Sequence, residues 1–303
     1  MTYSDRFGFL NDSREIRFDD GWMKPCAEFA DLLLLVKANE HVEGFMYPPE
    51  IRTHQLSLDG TRSTPLPNTL RPSPVFNMPM SHELLIKNPV AADDHRHADG
   101  ALLVHLTAFF FGTRLQFEGW RFDGRVPTKP KNSFCYAPET PAHFIAWVYA
   151  RWRAWLPDLQ RRYINILYMH TRADSCIWEW DRFMYRYMVF DAICNFHMAS
   201  EGMKFTTHGK RMVEMCRRYS VAENAETIER IVTLRNELFH EALWDGSTPG
   251  QRVGNNRSIE KWLGKLNAKL IVAMAGYANE FTRRGWWSFG RQSFDRFNGA
   301  HPR

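Results

Sequence analysis

Cysteine is scarce in this sequence, and its positions do not form the pairs that metal sites and disulfide frameworks use. There are five cysteines in 303 residues, and no two of them form a Cys-x-x-Cys motif. An odd number of widely spaced thiols argues against a disulfide scaffold and against a thiolate zinc site. Such usage suits a reducing compartment, so we expect the protein to be cytoplasmic. The cysteines are Cys26, Cys135, Cys176, Cys194 and Cys216.

Long hydrophobic runs are also missing from the sequence. The longest apolar segments, 29–36 and 101–112, are too short or too polar for a membrane span, which needs ~20 residues. The first six residues contain no apolar signal region. We therefore expect neither a membrane-spanning segment nor a membrane partner.

Several motifs of well-known enzyme classes are absent. The sequence has no Gly-x-x-x-x-Gly-Lys-Ser/Thr phosphate loop, no His-Glu-x-x-His and no Gly-x-Ser-x-Gly. Residues 93–99 do offer ligand types for a divalent metal, with three aspartates and two histidines. Because Arg96 adds positive charge and Asp99-Gly100 marks a turn, we interpret this segment as a solvated loop. We expect no metal and no cofactor.

The charge balance of the chain is mildly basic. The net charge is +5 and the sequence pI is about 9.0. This balance is compatible with nucleic-acid binding but does not require it. A hydrophobic content of 44% is typical of a globular protein.

Proline and tryptophan divide the chain into two parts. Thirteen of the 16 prolines lie at or before Pro141, whereas nine of the 11 tryptophans lie after it. The first part is therefore rich in turns and extended segments, and the second part is rich in helix. We expect a mainly α protein, with a mixed α/β N-terminal domain over residues 1–140, a helical bundle over 141–285 and a basic aromatic tail over 286–303.

Alternating and apolar segments define the elements of the N-terminal part. Residues 15–18, 51–58 and 114–122 alternate between apolar and polar side chains, which predicts strands. Residues 101–111 form a continuous apolar segment that predicts a helix. Five prolines over residues 64–79 predict a long surface loop. We find no functional motif in this part.

Helical periodicity dominates the second part of the chain. Pro157 separates the first two helical segments, because proline interrupts a helix. The third segment is apolar on nearly every side, which predicts a central helix. The loops between the segments are short, as is typical of a helical bundle. The predicted helices cover residues 143–155, 159–167, 176–198, 207–219, 220–245 and 258–281.

The fifth of these helices carries an unusual group of polar residues. It begins with a Ser-x-x-Glu capping box at Ser220 and ends before Asp245-Gly246. Apolar residues recur along it at steps of three and four, so that they share one face. At ~100° per residue, Arg235 projects onto the centre of that face, where a guanidinium is costly unless it is paired. The apolar residues are Ile228, Ile231, Val232, Phe239 and Ala242.

Residues 235–240 read Arg-Asn-Glu-Leu-Phe-His and resemble the Arg-Asn-x-x-x-His signature of the HEPN superfamily. This superfamily consists of helical-bundle domains and includes many metal-independent ribonucleases. The resemblance covers the C-terminal half of the chain. It implies that Arg235 and His240 are catalytic, and Asn236 matches the polar residue that often follows the arginine. Taken singly, the same three residues would suit an ion pair, a surface position and a helix C-terminus.

Asp191 is a second polar residue on an apolar stripe, in the central predicted helix. HEPN domains commonly carry an acidic residue on an earlier helix that orients the motif arginine. The resemblance assigns this role to Asp191, as the partner of Arg235. Asp181 and Glu179 are alternatives near the start of the same helix, where acidic residues are common. A purely structural clamp between Asp191 and Arg235 would give the same pattern.

The residue types of the motif suit cleavage of RNA without a metal. RNA supplies its own nucleophile in the 2′-hydroxyl, a histidine exchanges protons near neutral pH, and an arginine holds the phosphate. One histidine cannot easily make both proton transfers in one step, and HEPN nucleases resemble one another in meeting this need by dimerising. Within one ideal helix Arg235 and His240 lie ~140° apart. Either a two-fold interface or a loosened helix end near His240 would bring them together.

The C-terminal tail interleaves cations with aromatic rings. Single-stranded RNA can stack its bases on such rings while arginine meets its phosphates. The alternative is that the rings dock the tail onto the bundle, which we favour because an exposed tryptophan pair is costly. The candidate RNA-binding residues are Arg283, Arg284, Trp286, Trp287 and Arg291.

We therefore expect a metal-independent endoribonuclease that acts on RNA as a homodimer. The alternative is a non-catalytic HEPN module that binds or senses a partner. A DNA- or nucleotide-handling role has only the basic charge in its favour. Many bacterial HEPN nucleases act in toxin–antitoxin pairs or in phage defence, so the resemblance also implies an antiviral or toxin context with an inhibitory antitoxin partner.

Overall fold

The computed structural model describes residues 2–48, 52–66, 75–90, 94–129, 134–202, 207–221, 224–250, 257–283 and 292–296. Over these residues the chain is a mixed α/β protein. Short strands dominate the first part and helices dominate the second, as the distribution of proline and tryptophan predicts.

The described strands form one larger sheet and several two-stranded pairs. In chain order they are β1 (Tyr3–Gly8), β2 (Ile16–Phe18), β3 (Gly21–Pro25), β4 (Phe45–Met46), β5 (Arg52–Ser57), β6 (Gly60–Pro65), β7 (Val75–Phe76), β8 (His82–Ile86), β9 (Gln116–Phe117), β10 (Phe122–Asp123), β11 (Val126–Pro127), β12 (Phe134–Cys135) and β13 (Gln292–Ser293). The larger sheet is antiparallel and has the order β2-β3-β8-β1-β9. Strand β1 therefore lies between two strands that come much later in the chain.

The predicted strands are confirmed in part. Residues 15–18 contain β2, and residues 51–58 contain β5, which forms an exposed hairpin with β6. Residues 114–122 form two short strands instead of one, because Gly119 turns the chain between them with φ 82°. The predicted loop over 64–79 contains β7, and Phe76 and Met78 are buried there, so this end is part of the core. Residues 67–74 lie outside the described residues.

The described residues form nine helices. In chain order they are α1 (Phe29–Asn39), α2 (Asp99–Phe111), α3 (Thr140–Arg153), α4 (Pro157–Ala173), α5 (Glu179–Glu201), α6 (His208–Arg218), α7 (Ala225–Asn236), α8 (Arg257–Met274) and α9 (Glu280–Arg283). Pro157 starts α4, where its missing N–H costs nothing, and Gly202 ends α5 with φ 66°. The helix predicted over 258–281 ends at Met274, because Gly276 turns the chain with φ 68°.

Helix α2 joins the two parts of the chain. Every residue of it is buried, and it packs against α3 and α4. Its Thr107 hydroxyl also reaches Met23 Sδ of β3 at 3.4 Å. One hydrophobic cluster runs from Phe7 to Phe294 and includes side chains of both parts. The division at residue 140 stays a prediction, but the two parts share a core.

Candidate functional site

Helix α7, which carries the motif, begins later than the sequence predicts. The Asn224 side-chain oxygen caps it by accepting a hydrogen bond from the Thr227 N–H at 2.8 Å. The capping box predicted at Ser220 is wrong, because Ser220 and Val221 close α6. Their N–H groups donate to the Arg217 and Cys216 carbonyls. The other two positions of the predicted box, 222 and 223, lie outside the described residues.

The buried face of α7 differs from the predicted one. Ile228, Ile231 and Leu234 are buried, whereas Phe239 is 45% exposed. Arg235 is half-buried, so its predicted place at the centre of the core is wrong. The reason is that the helix leaves the core at its last turn, and residues 239–242 are all exposed.

The chain leaves α7 through a π turn, which covers Glu237–Glu241. It closes with a hydrogen bond from the Ala242 N–H to the Glu237 carbonyl, five residues apart. This wider winding places side chains five residues apart on the same side. Arg235 and His240 have this spacing, and Arg235 Nη1 lies 2.7 Å from His240 Nε2. The separation of ~140° expected for an ideal helix is therefore wrong here, and the loosened helix end brings the pair together within one chain.

The contact between Arg235 and His240 has one possible direction. A guanidinium can only donate hydrogen bonds, so Arg235 is the donor and His240 Nε2 is the acceptor. The same Arg235 Nη1 also donates to Asn236 Oδ1 at 3.1 Å. Asn236 thus helps to orient the arginine, as its place beside Arg235 in the motif suggests.

The loop after the π turn is held against the helices. Asp245 forms an ion pair with Arg230 of α7, and the Gly246 N–H donates to Glu237 Oε2 at 3.3 Å. Trp244 is buried with its ring 5.1 Å from Phe183. These contacts fix the backbone on the far side of His240, so the π turn is braced at both ends.

Aromatic rings surround the Arg235 guanidinium. Its central carbon lies 5.9 Å from the centre of the Tyr187 ring and 5.2 Å from that of Phe239. Among the described residues, no carboxylate lies within ion-pair distance of Arg235, and both of its side-chain hydrogen bonds use Nη1. Its Nη2 therefore keeps unused donors at an exposed helix end, where an incoming anion could accept them.

Asp191 does not pair with Arg235 as predicted. Its carboxylate lies 3.5 Å from Arg211 Nη1, and the two side chains are 33% and 25% exposed. Arg211 of helix α6 supplies the cation instead. Within the described part of the chain, neither Glu179 nor Asp181 forms an ion pair with Arg235 either. Asp191 and Arg235 nevertheless influence the pKa of the same histidine: Arg235 lowers it and Asp191 raises it.

That histidine is His208, which the sequence analysis missed. It is the first residue of α6, after Thr207, whose hydroxyl accepts a hydrogen bond from the Lys210 N–H at 3.3 Å. Its Nδ1 lies 2.6 Å from the Tyr187 hydroxyl. Burial lowers the pKa of His208, and the nearby Arg235 lowers it further. The one signal in the sequence was its place next to a helix-capping threonine.

The structure describes part of the C-terminal tail, for which the sequence predicts RNA binding. Arg283 is exposed at the end of α9, and Arg284, Trp286, Trp287 and Arg291 lie outside the described residues. Residues 292–296 dock on the body of the protein. Strand β13 pairs with β12, Phe294 is buried, and Arg296 lies 3.9 Å from the centre of the Trp147 ring. RNA binding by the tail stays a prediction.

Within the segment 93–99, the described residues 94–99 form hydrogen bonds and an ion pair with one another and with other parts of the protein, and residue 93 lies outside the described residues. Arg96 pairs with Asp5, and His97 Nδ1 lies 2.7 Å from an oxygen of Asp94. Asp99 is buried and accepts a hydrogen bond from the Tyr149 hydroxyl at 2.7 Å. Over the residues that the structure describes, no three side chains of metal-ligand type come together.

Two wider observations complete the description. None of the described helices combines the length and the apolar character that a membrane crossing demands. Comparison with known proteins found no matching family model, no similar curated protein and no similar solved structure.

Proposed function

We propose that this protein is a metal-independent endoribonuclease with its site at the π turn. The observation that supports this most is the contact between Arg235 and His240. It joins a cation without a described carboxylate partner to an imidazole at an exposed helix end. An RNA phosphate would draw the guanidinium away from His240 Nε2 and free that nitrogen for proton transfer.

The chemistry uses only groups of RNA and of the protein. The 2′-hydroxyl attacks the adjacent phosphorus, the bond to the 5′-oxygen breaks, and a 2′,3′-cyclic phosphate and a 5′-hydroxyl end result. Arg235 stabilises the added negative charge of the transition state. His240 takes part in proton transfer. Asn236 holds Arg235, and Asp191 acts on the site through Arg211.

The proposed context follows from the resemblance to HEPN nucleases. We infer that helices α3 to α8 correspond to a HEPN-like bundle, and that the substrate is cytoplasmic RNA in a toxin or phage-defence setting. An antitoxin would then be the inhibitory partner. The sequence suggested a homodimer for two reasons: Arg235 and His240 were expected to lie apart, and the reaction needs a second proton-transfer group. The π turn brings Arg235 and His240 together within one chain, so only the second reason remains.

The test is cleavage of total RNA in the presence of a chelator. Arg235→Ala and His240→Ala should each lower the rate by ~100-fold or more, because each removes a group that acts on the transition state. Arg217→Ala and His54→Ala are matched controls, since both side chains are exposed on other surfaces. Analysis of the product ends should find 2′,3′-cyclic phosphates. Parent-like cleavage by both site variants, or dependence on magnesium, would refute the proposal.

A further inference from the structure

Two imidazoles from different elements lie at this site within one chain. His240 comes from the π turn and His208 from the first position of α6. Arg235 interacts with both of them. It donates a hydrogen bond to His240 and lowers the pKa of His208. Tyr187 connects Arg235 with His208. Its ring lies under the Arg235 guanidinium, and its hydroxyl forms a hydrogen bond with His208.

Tyr187 fixes the orientation of the His208 ring. Its hydroxyl lies 2.6 Å from Nδ1, and its ring is 2% exposed and therefore held firmly by the core. Among the described residues, no group bonds the opposite nitrogen, Nε2. If Nδ1–H donates to the Tyr187 oxygen, Nε2 keeps a lone pair that can take a proton. Burial raises the pKa of Tyr187, so its hydroxyl stays protonated. The oxygen of this neutral hydroxyl would then accept the hydrogen bond from Nδ1–H.

The surroundings of His208 lower its pKa and so disfavour its protonated form. Arg235, Arg211 and His240 all disfavour a positive charge on the ring, and Asp191 opposes them. These groups come from α5, α6, α7 and the π turn, which are the elements that face the ring. The start of a helix also disfavours a cation, because the backbone dipoles place positive charge there. A neutral imidazole with a free lone pair is suited to act as a base.

We propose that His208 is the general base and His240 the general acid of the same cleavage, in one chain. This inference rests on the proposed ribonuclease function. His208 Nε2 takes the proton of the 2′-hydroxyl as that oxygen bonds to phosphorus. Once the phosphate has drawn Arg235 away, His240, which is exposed, takes a proton from solvent on Nε2. The bond from phosphorus to the 5′-oxygen breaks, and His240 gives that proton to the leaving oxygen. Solvent then removes the proton from His208.

A substrate with a good leaving group separates the two roles. An RNA in which sulfur replaces the bridging 5′-oxygen at one position leaves as a thiolate, which needs no proton. On ordinary RNA, His208→Ala and His240→Ala should each lose ~100-fold or more in kcat. On the sulfur substrate His240→Ala should regain most of its rate, and His208→Ala should not. Rescue of His208→Ala alone would overturn the assignment of roles.

The same measurements separate this inference from the function itself. If His208→Ala cleaves ordinary RNA like the parent while His240→Ala is inactive, His208 has no role and the ribonuclease remains. If the parent itself does not cleave RNA, the proposed function fails. His54→Ala serves as the exposed-histidine control on both substrates.

Complementation between variants tests whether one chain is sufficient. Equimolar His208→Ala and His240→Ala chains should stay inactive after mixing and refolding together, because neither chain has both groups. Recovery of a substantial fraction of the parent activity would show that base and acid come from different chains of a dimer. That result would overturn the single-chain site.

The pH profile gives a readout that a structural role would not change. The acidic limb of kcat/KM should follow the pKa of His208, below which the base is protonated. Arg211→Ala removes a cation that lowers this pKa, so the limb should move to higher pH. Asp191→Ala removes an anion that raises it, so the limb should move to lower pH. An unchanged limb in both variants would contradict the role of His208 as base.

Discussion

Two sets of arginines in this protein have opposite surroundings: Arg182 and Arg186 form the first set, and Arg235 alone forms the second. Arg182 and Arg186 of α5 meet Glu260 of α8, whose side chain is only 1% exposed. Arg186 also pairs with Asp174 at 2.8 Å. Arg235 belongs to the same group of packed helices, yet its described partners are an amide, an imidazole and two aromatic rings.

The difference separates a structural cation from one that remains available. A buried guanidinium with carboxylate partners is committed to the fold, because loss of either partner leaves an uncompensated charge in the core. Arg235 has no such commitment to a described carboxylate, so a phosphate can take up its donors without breaking an ion pair. Changes in the first set should therefore affect stability, and changes in the second should affect binding and catalysis.

The largest effect on stability is expected for Glu260→Ala. It leaves Arg182 and Arg186, whose side chains are 13% and 12% exposed, without their shared carboxylate, which should lower the free energy of unfolding by ~3–5 kcal/mol. Urea titration would measure this change. Glu214→Ala is the control, because Glu214 pairs only with the exposed Arg217 on α6 among the described residues. Equal stability of these two variants would remove the distinction between the two sets.

A smaller effect is expected for Arg235→Ala. The change removes contacts with two rings but leaves no buried charge, so the loss of stability should be about 1 kcal/mol. Urea titration together with the RNA cleavage assay tests both halves of the comparison. A loss as large as that of Glu260→Ala would mean that Arg235 is a structural cation after all.

The smallest effect is expected for Asp191→Ala. A buried pair with Arg235 would have made this substitution severe, but the observed pair with Arg211 is partly exposed. The expected loss of stability is about 0.5 kcal/mol, in the range of surface ion pairs. Thermal and urea unfolding would detect a larger change, which would indicate that Asp191 supports the helices more strongly than this contact suggests.

The sequence predicts the helices well where apolar residues are frequent. Residues 101–111 and 159–167 lie within α2 and α4, and the central helix was expected over nearly all of α5. Residues 101–111 are continuously apolar and the central helix is apolar on nearly every side, which is typical of helices that a core encloses. The motif that resembles the HEPN signature also predicted a site at Arg235 and His240, and the structure brings these two side chains into contact.

The local departures from regularity could not be predicted in the same way. A projection at 3.6 residues per turn assumes the winding that the π turn changes, so it separates two side chains that touch. The partner of Asp191 depends on how α5 and α6 are rotated against each other, which no single periodic pattern encodes. His208 was not predicted as a site residue, because a single histidine at a helix start belongs to no recognisable motif or periodic pattern.

The docking of Phe294 has a consequence for synthesis of the protein on the ribosome. Its ring lies 5.2 Å from that of Phe110, 4.4 Å from Phe134 and 5.0 Å from Phe144. The aromatic core thus stays open on one side until residue 294 has left the ribosome. At ~5–20 residues per second, translation to that point takes roughly 15–60 s. The protein would therefore complete this core only after its messenger had been translated past residue 294.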